Sequence, residues 1–166
     1  MPEISGRLDS RLEQEGAEFL VLAHLLLEKI EAHKAYTRYP GYDIVALNRI
    51  TNRQCRVQVK SRWATDYNRT FPLKGSPDCD FVVLVALNRG YRYAKTRRRT
   101  VAPEVPLAPD GRSSPRYWVF PKDIVIAARN PSSKWGIVPL SNISELNQYE
   151  NAWHLISDYL EETGRV

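Results

Sequence analysis

Cysteine is scarce in this chain. Cys55 and Cys79 are the only two in 166 residues, and neither sits in CxxC or CxxH spacing. That excludes a disulfide framework and a cysteine-based zinc site, and it suits a reducing cytoplasm. The three histidines, His24, His33 and His154, stand far apart with no metal-ligand spacing, so core or surface roles suit them best. Eight scattered glycines never form GxGxxG or GxxxxGK, and no serine occupies a nucleophile-elbow context. Phosphate-loop enzymes and triad hydrolases are thereby disfavoured. The longest strongly apolar run, Phe19 to Leu27, is interrupted by His24 and is too short to span a bilayer. Met1 to Gly16 alternates acids and bases without the apolar core of a signal peptide. The expectation is a soluble, cytoplasmic protein with no membrane partner.

The length predicts a single domain over 1–166, and a hydrophobic content of 43% is enough for one sizeable core. A net charge of +5 and a pI near 9.3 favour a polyanionic partner. Much of the charge falls in a basic, proline-containing excursion at about 88–116, which carries Arg89, Arg92, Lys95, Arg97, Arg98, Arg99 and Arg112.

Periodicity predicts the order of elements. Ser10 and Glu13 have capping-box spacing ahead of Leu12, Phe19, Leu20, Val21, Leu22, Leu25, Leu26 and Ile30, which suits a helix over about 10–34 packed against a sheet. An extended segment at His33 to Tyr39 is a candidate next element after the helix. Pro40-Gly41 marks a turn, Tyr42 to Asn48 a strand, and Asn52-Arg53 a hairpin tip. Cys55 to Ser61 alternates as a half-buried strand does, whereas 62–78 shows no clear period and reads as loop with room for a short strand. Phe81 to Leu87 is continuously β-prone, as expected of a strand near the sheet centre. Tyr117 to Phe120 resumes the sheet. Ser141 or Ser144 could cap a final helix with Leu146, Tyr149, Trp153, Ile156 and Leu160 on one stripe. The fold class is α/β (α+β), a central mixed β-sheet flanked by helices.

Two short stretches carry the candidate chemistry. Gly41-Tyr42-Asp43-Ile44-Val45-Ala46 places an acid in an apolar strand, and Arg56-Val57-Gln58-Val59-Lys60-Ser61 puts Gln58 and Lys60 on one face of the next. A buried carboxylate without a cation or donors costs several kcal/mol, so Asp43 needs a partner. A carboxylate, an amide oxygen and an ammonium together suit a divalent cation and a phosphate. The plainer readings are that Asp43 opens its strand by capping the Pro-Gly turn, and that Gln58 and Lys60 are the polar half of a one-sided strand. Glu18 shares a helix face with Leu22 and Leu25 and could supply a second acid, with Glu15 one turn earlier as the alternative. An exposed first-turn acid is the plain reading of either. Pro77-Asp78 follows the Gln-x-Lys strand and reads as a turn.

Glu18 on the first helix, Gly41-Tyr42-Asp43-Ile44, Gln58-Val59-Lys60, Asp80 before an apolar strand, and Tyr117-Trp118-Val119-Phe120-Pro121 occur in the order that resembles the PD-(D/E)xK nuclease superfamily, whose core is the restriction-endonuclease-like fold. The pieces span most of 15–125. Gln58 stands where many members have Glu or Asp, as in intron-homing and resolvase-like groups. The resemblance implies a Mg²⁺-dependent deoxyribonuclease, with Mn²⁺ a possible substitute. It assigns the metal to Asp43, the Gln58 side-chain oxygen, the Val59 carbonyl and Glu18, and places Lys60 on the attacking water and the phosphate. DNA is then the expected partner, contacted by Arg56, Arg62, Arg69, Arg97, Arg98 and Arg99, and a homodimer is a candidate assembly. The rival is a non-catalytic nucleic-acid- or protein-binding module on the same fold, with Gln58 marking a decayed centre.

Overall fold

The computed structural model describes residues 10–36, 41–67, 69–91 and 109–162. Helix α1 (Ser10–Leu27) buries Ala17, Glu18, Val21 and Leu25 on one side. Leu12, Phe19, Leu26 and Leu27 stay exposed, so it is covered on one side rather than on most. It is also shorter than its apolar pattern predicts. Ile30 N–H donates to the Leu25 carbonyl at 2.9 Å and Lys29 N–H to that of Leu26 at 3.1 Å, with Lys29 left-handed at φ 64°. This is a Schellman stop with lysine in the position usually held by glycine. The chain reverses there into β1 (Glu31–Lys34), so the extended segment begins earlier than His33.

Strands β2 (Ile44–Asn48) and β3 (Arg53–Arg62) form the expected hairpin. After a 3-10 turn and the short β4 (Thr70–Pro72), β5 (Phe81–Ala86) pairs with β3 in parallel. Strand β6 (Arg116–Pro121) pairs with β5 antiparallel. The mixed sheet has the order β1-β2-β3-β5-β6. β3 is therefore the central strand, and β5, though wholly buried, lies one place from the edge.

Side-chain alternation splits the interior into two layers. Val57, Val59, Val83, Val85 and Val119 face α1 and the closing helix α3 (His154–Glu161). Val82, Leu84, Trp118 and Phe120 face the opposite side, where they meet α2 (Lys122–Ala128) and the ribbon of β4 with β7 (Ile137–Pro139). The closing helix starts at His154, well after Ser141 and Ser144. Between them the chain forms two 3-10 turns, with Glu145 and Asn151 at positive φ. Glu150 bridges Trp118 and Asn151 N–H donates to the Tyr117 carbonyl at 2.9 Å, so the chain wraps the β6 edge from one layer to the other. Leu146 and Tyr149 consequently pack in one layer while Trp153, Ile156 and Leu160 pack in the other.

The ends of the basic excursion are pinned. Tyr91 N–H donates to the Asp110 carbonyl at 3.0 Å and Ser113 N–H to that of Asn88 at 3.0 Å. Arg89 and Arg112 form a bridge, and the Thr65 hydroxyl donates to the Gly111 carbonyl at 2.6 Å.

Candidate functional site

The site is built where β2 begins beside β3. Gly41 has φ 114°, and a Cβ there would lie 2.4 Å from the Asp78 nitrogen, so only glycine allows this approach. The turn delivers Asp43 into the sheet with its N–H on the Val57 carbonyl (2.9 Å) and its carbonyl accepting from Ala35 N–H (2.8 Å). Its side chain then continues the ladder, as Oδ2 accepts the Val59 N–H at 2.7 Å. Asp43 thus caps β3 where its pairing with β2 stops, rather than the turn before it. Burial raises the Asp43 pKa and the neighbouring Glu18 adds to this. The Val59 N–H, Lys60 and Lys34 pull the other way without reversing the direction.

Glu18 is buried on the sheet-facing side of α1. Gln14 Nε2 donates both to Glu18 Oε1 (3.2 Å) and to the Val59 carbonyl (2.9 Å), tying helix to central strand. Glu18 Oε2 lies 2.9 Å from the ammonium of Lys34 on β1, which also pairs with Glu15. Of the two candidate helix acids, Glu18 is the one turned inward: its side chain is 10% exposed against 48% for Glu15. Gln14 and Lys34 were not among the residues singled out by sequence. A glutamine on an amphipathic helix and a lysine in a four-residue strand carry no local signal, and only the packing brings them to Glu18.

Gln58 and Lys60 emerge from the opposite face of β3, since Val57 and Val59 between them face α1. Lys60 is half-buried. Desolvation pushes its pKa down, and the Asp43 carboxylate is the largest opposing influence. Gln58 Oε1 is buried and accepts no hydrogen bond from the described residues. Its side chain lines an open cleft of about 630 Å³ with Gly41, Tyr42, Arg56, Lys74 and Asp78.

The candidate donors are the Asp43 carboxylate, the Gln58 amide oxygen on the face of β3 away from α1, the Glu18 carboxylate on the α1 side and the Val59 carbonyl, which keeps a second lone pair beside its bond from Gln14. An all-oxygen set of this kind fits a hard divalent cation. No cluster of three His, Cys, Asp or Glu is found among the described residues, so a metal here depends on Gln58 or the backbone.

The expected nucleic-acid contacts are not equally available. Arg56 pairs with Asp78 at 2.5 Å and lies 3.7 Å from Asp80. Arg62 Nε donates to the Thr70 carbonyl at 2.6 Å and its guanidinium covers the Tyr67 ring. Arg69 is exposed. Arg97, Arg98 and Arg99 lie outside the described residues. His24 stacks on Trp153 with ring centroids 5.1 Å apart and packs against Tyr117, half-buried at the edge of the core.

No protein-family model matches the sequence, and no curated protein matches it either. Among solved structures, "The structure of a bacterial homing endonuclease: I-Ssp6803I" aligns with a TM-score of 0.54 at 20% identity, covering 91% of this chain and 94% of that one. The two chains share a fold. The mixed α+β architecture, a five-stranded sheet flanked by helices, is common to a nuclease, and no helix among the described residues is long and apolar enough to cross a membrane.

Proposed function

We propose that this chain is a metal-dependent endonuclease of the PD-(D/E)xK type that hydrolyses DNA phosphodiester bonds, built as one nuclease-like domain with a basic insertion at about 88–116. The observation that carries this reading is Asp43: a desolvated carboxylate held by the Val59 N–H, with Glu18 and Lys60 as its charged neighbours. The shared fold with a homing endonuclease agrees with it. Asp43, Gln58 Oε1, the Val59 carbonyl and Glu18 would hold Mg²⁺ or Mn²⁺. Bound there, the metal supplies charge neutralisation at the scissile phosphate and a lowered pKa for the attacking water.

The protein's own groups do the rest. Asp43 is held in place by its backbone bond, so its geometry does not have to be bought from the substrate. Lys60, partly stripped of water, directs its ammonium at developing phosphoryl charge, where a low local dielectric strengthens the attraction. Gln58 contributes a neutral hard oxygen in place of a commoner acid, leaving the ligand set one negative charge poorer, and Glu18 offsets this. Arg56, Arg62, Arg69 and the basic insertion are the phosphate contacts to expect along the duplex, with Arg56 and Arg62 also engaging Asp78 and the Thr70 carbonyl.

Incubating the protein with supercoiled, linear and branched DNA in Mg²⁺ or Mn²⁺, against a chelator control, tests the proposal. Divalent-dependent strand cleavage is the expected result. Retained DNA binding without cleavage of any substrate would replace it with the non-catalytic module.

A further inference from the structure

Both oxygens of Glu18 are already in use. Oε1 accepts from Gln14 at 3.2 Å and Oε2 faces the Lys34 ammonium at 2.9 Å. The Lys34 side chain is only 5% exposed, and it reaches the site from β1 on the same sheet face as Ala32, which packs under α1. A lysine buried with one acid is an ordinary ion pair. Here there are two acids three residues apart on the same helix, one buried and one exposed, and the ammonium touches both. It also lies over the Phe19 ring at 4.7 Å and the Tyr36 ring at 5.6 Å, two faces that favour a cation.

We propose that Lys34 is a displaceable internal cation: it pairs with Glu18 and Glu15 together in the metal-free protein and is left on Glu15 alone when a divalent cation claims Glu18. This rests on the metal-binding reading of Asp43 and Glu18. Two positive groups at contact distance from one carboxylate repel each other, so cation binding and the Lys34–Glu18 contact oppose one another. Glu15 keeps the displaced ammonium paired, and so lowers the cost of displacement. Lys34 is in this sense a positioning residue, acting on metal affinity through Glu18.

The test is calorimetric titration with Mn²⁺ alone, in the full chain without DNA. Lys34→Met should tighten Mn²⁺ binding at least about fivefold, the lower end of ordinary coupling between sites. Lys34→Arg, which keeps the charge and can grip both carboxylates with its fork, should weaken it. Glu15→Gln should also weaken it in the natural chain, and by much less once Lys34 is Met, because the retreat position then has nothing to hold. Unchanged or weaker Mn²⁺ binding in a folded Lys34→Met variant overturns the proposal. If that variant does not fold, tighter binding by Lys34→Arg does the same. Asp43→Ala separates the two readings. Mn²⁺ binding that is lost in Asp43→Ala but indifferent to Lys34 leaves the metal site standing and removes only the internal cation. Binding that appears only in Lys34→Met, and depends on Asp43, supports both. Absence of Asp43-dependent binding in every variant defeats both.

Discussion

Two aspartates in this molecule make the same hydrogen bond in different electrostatic company. Asp80 immediately precedes β5 and accepts the Arg56 N–H at 2.7 Å; Asp43 immediately precedes β2 and accepts the Val59 N–H at 2.7 Å. Each therefore caps a stretch of β3 from one side. The difference lies in the next neighbour. Asp80 faces the guanidinium of Arg56, which Asp78 also engages, so a cation stands directly against it. Asp43 faces Glu18, a second carboxylate, and its countercharges Lys60 and Lys34 come from different strands without a direct pair. A backbone bond locates a carboxylate; the charge opposite decides whether it is spent on the fold or remains available.

The sharpest way to break this contrast is to remove Asp43. Asp43→Ala should lower divalent-dependent DNA cleavage by about a thousandfold or more, the loss of several kcal/mol of metal-assisted stabilisation, while Asp80→Ala should spare the chemistry in whatever fraction stays folded. Comparable cleavage by both variants at equal folded concentration would erase the distinction. Next in size is Lys60→Ala, expected to cost roughly 10²- to 10³-fold in kcat, as for loss of one preorganised electrostatic group, with little change in Mn²⁺ affinity. A matched loss of metal binding would make Lys60 structural.

The third test reverses the assay. Asp80→Ala strands the Arg56 N–H and leaves its guanidinium to Asp78, and should destabilise the protein by about 1–3 kcal/mol in denaturant unfolding. A change within error would mean that Asp78 alone suffices for Arg56. The smallest effect runs the other way. Because burial raises the Asp43 pKa, its contribution to stability is full below the ordinary carboxylate value of 3.8 and is lost as pH rises through the raised folded value. At neutral pH the ionised group is a net cost. Asp43→Asn, which can still accept from Val59, should raise the melting temperature in chelator by roughly 2–4 °C for about 1 kcal/mol relieved, and the gain should vanish in acid. A lower melting temperature at neutral pH would place Asp43 with Asp80 among the structural acids.

The sequence makes both aspartates visible in the same way, as acids ahead of apolar β-prone runs, and for that reason cannot tell them apart. The order of strands and the two-faced pattern of β3 were legible because alternation is a local property. Asp43, Gln58, Lys60 and Glu18 could be singled out because each is a polar group in an apolar setting. Gln14, Lys34 and the capture of Arg56 by Asp78 and Asp80 could not, since they depend on which helix turn lands on which strand. The end of α1 was missed because lysine, not glycine, holds the left-handed position at residue 29. The closing helix was placed too early because Leu146 and Tyr149 continue its apolar spacing while packing in the other layer.

The pinned ends of the basic excursion carry a consequence for engineering. With Tyr91 bonded to Asp110 and Arg89 bridged to Arg112, the exit and re-entry points of the chain are clasped by the scaffold itself. Whatever is spliced between them inherits a closed doorway, and doubling the length of such a loop costs only about 0.6 kcal/mol in closure entropy. This is the natural port for a fluorescent reporter or a foreign DNA-reading module, attached without touching β3 or the acids beside it.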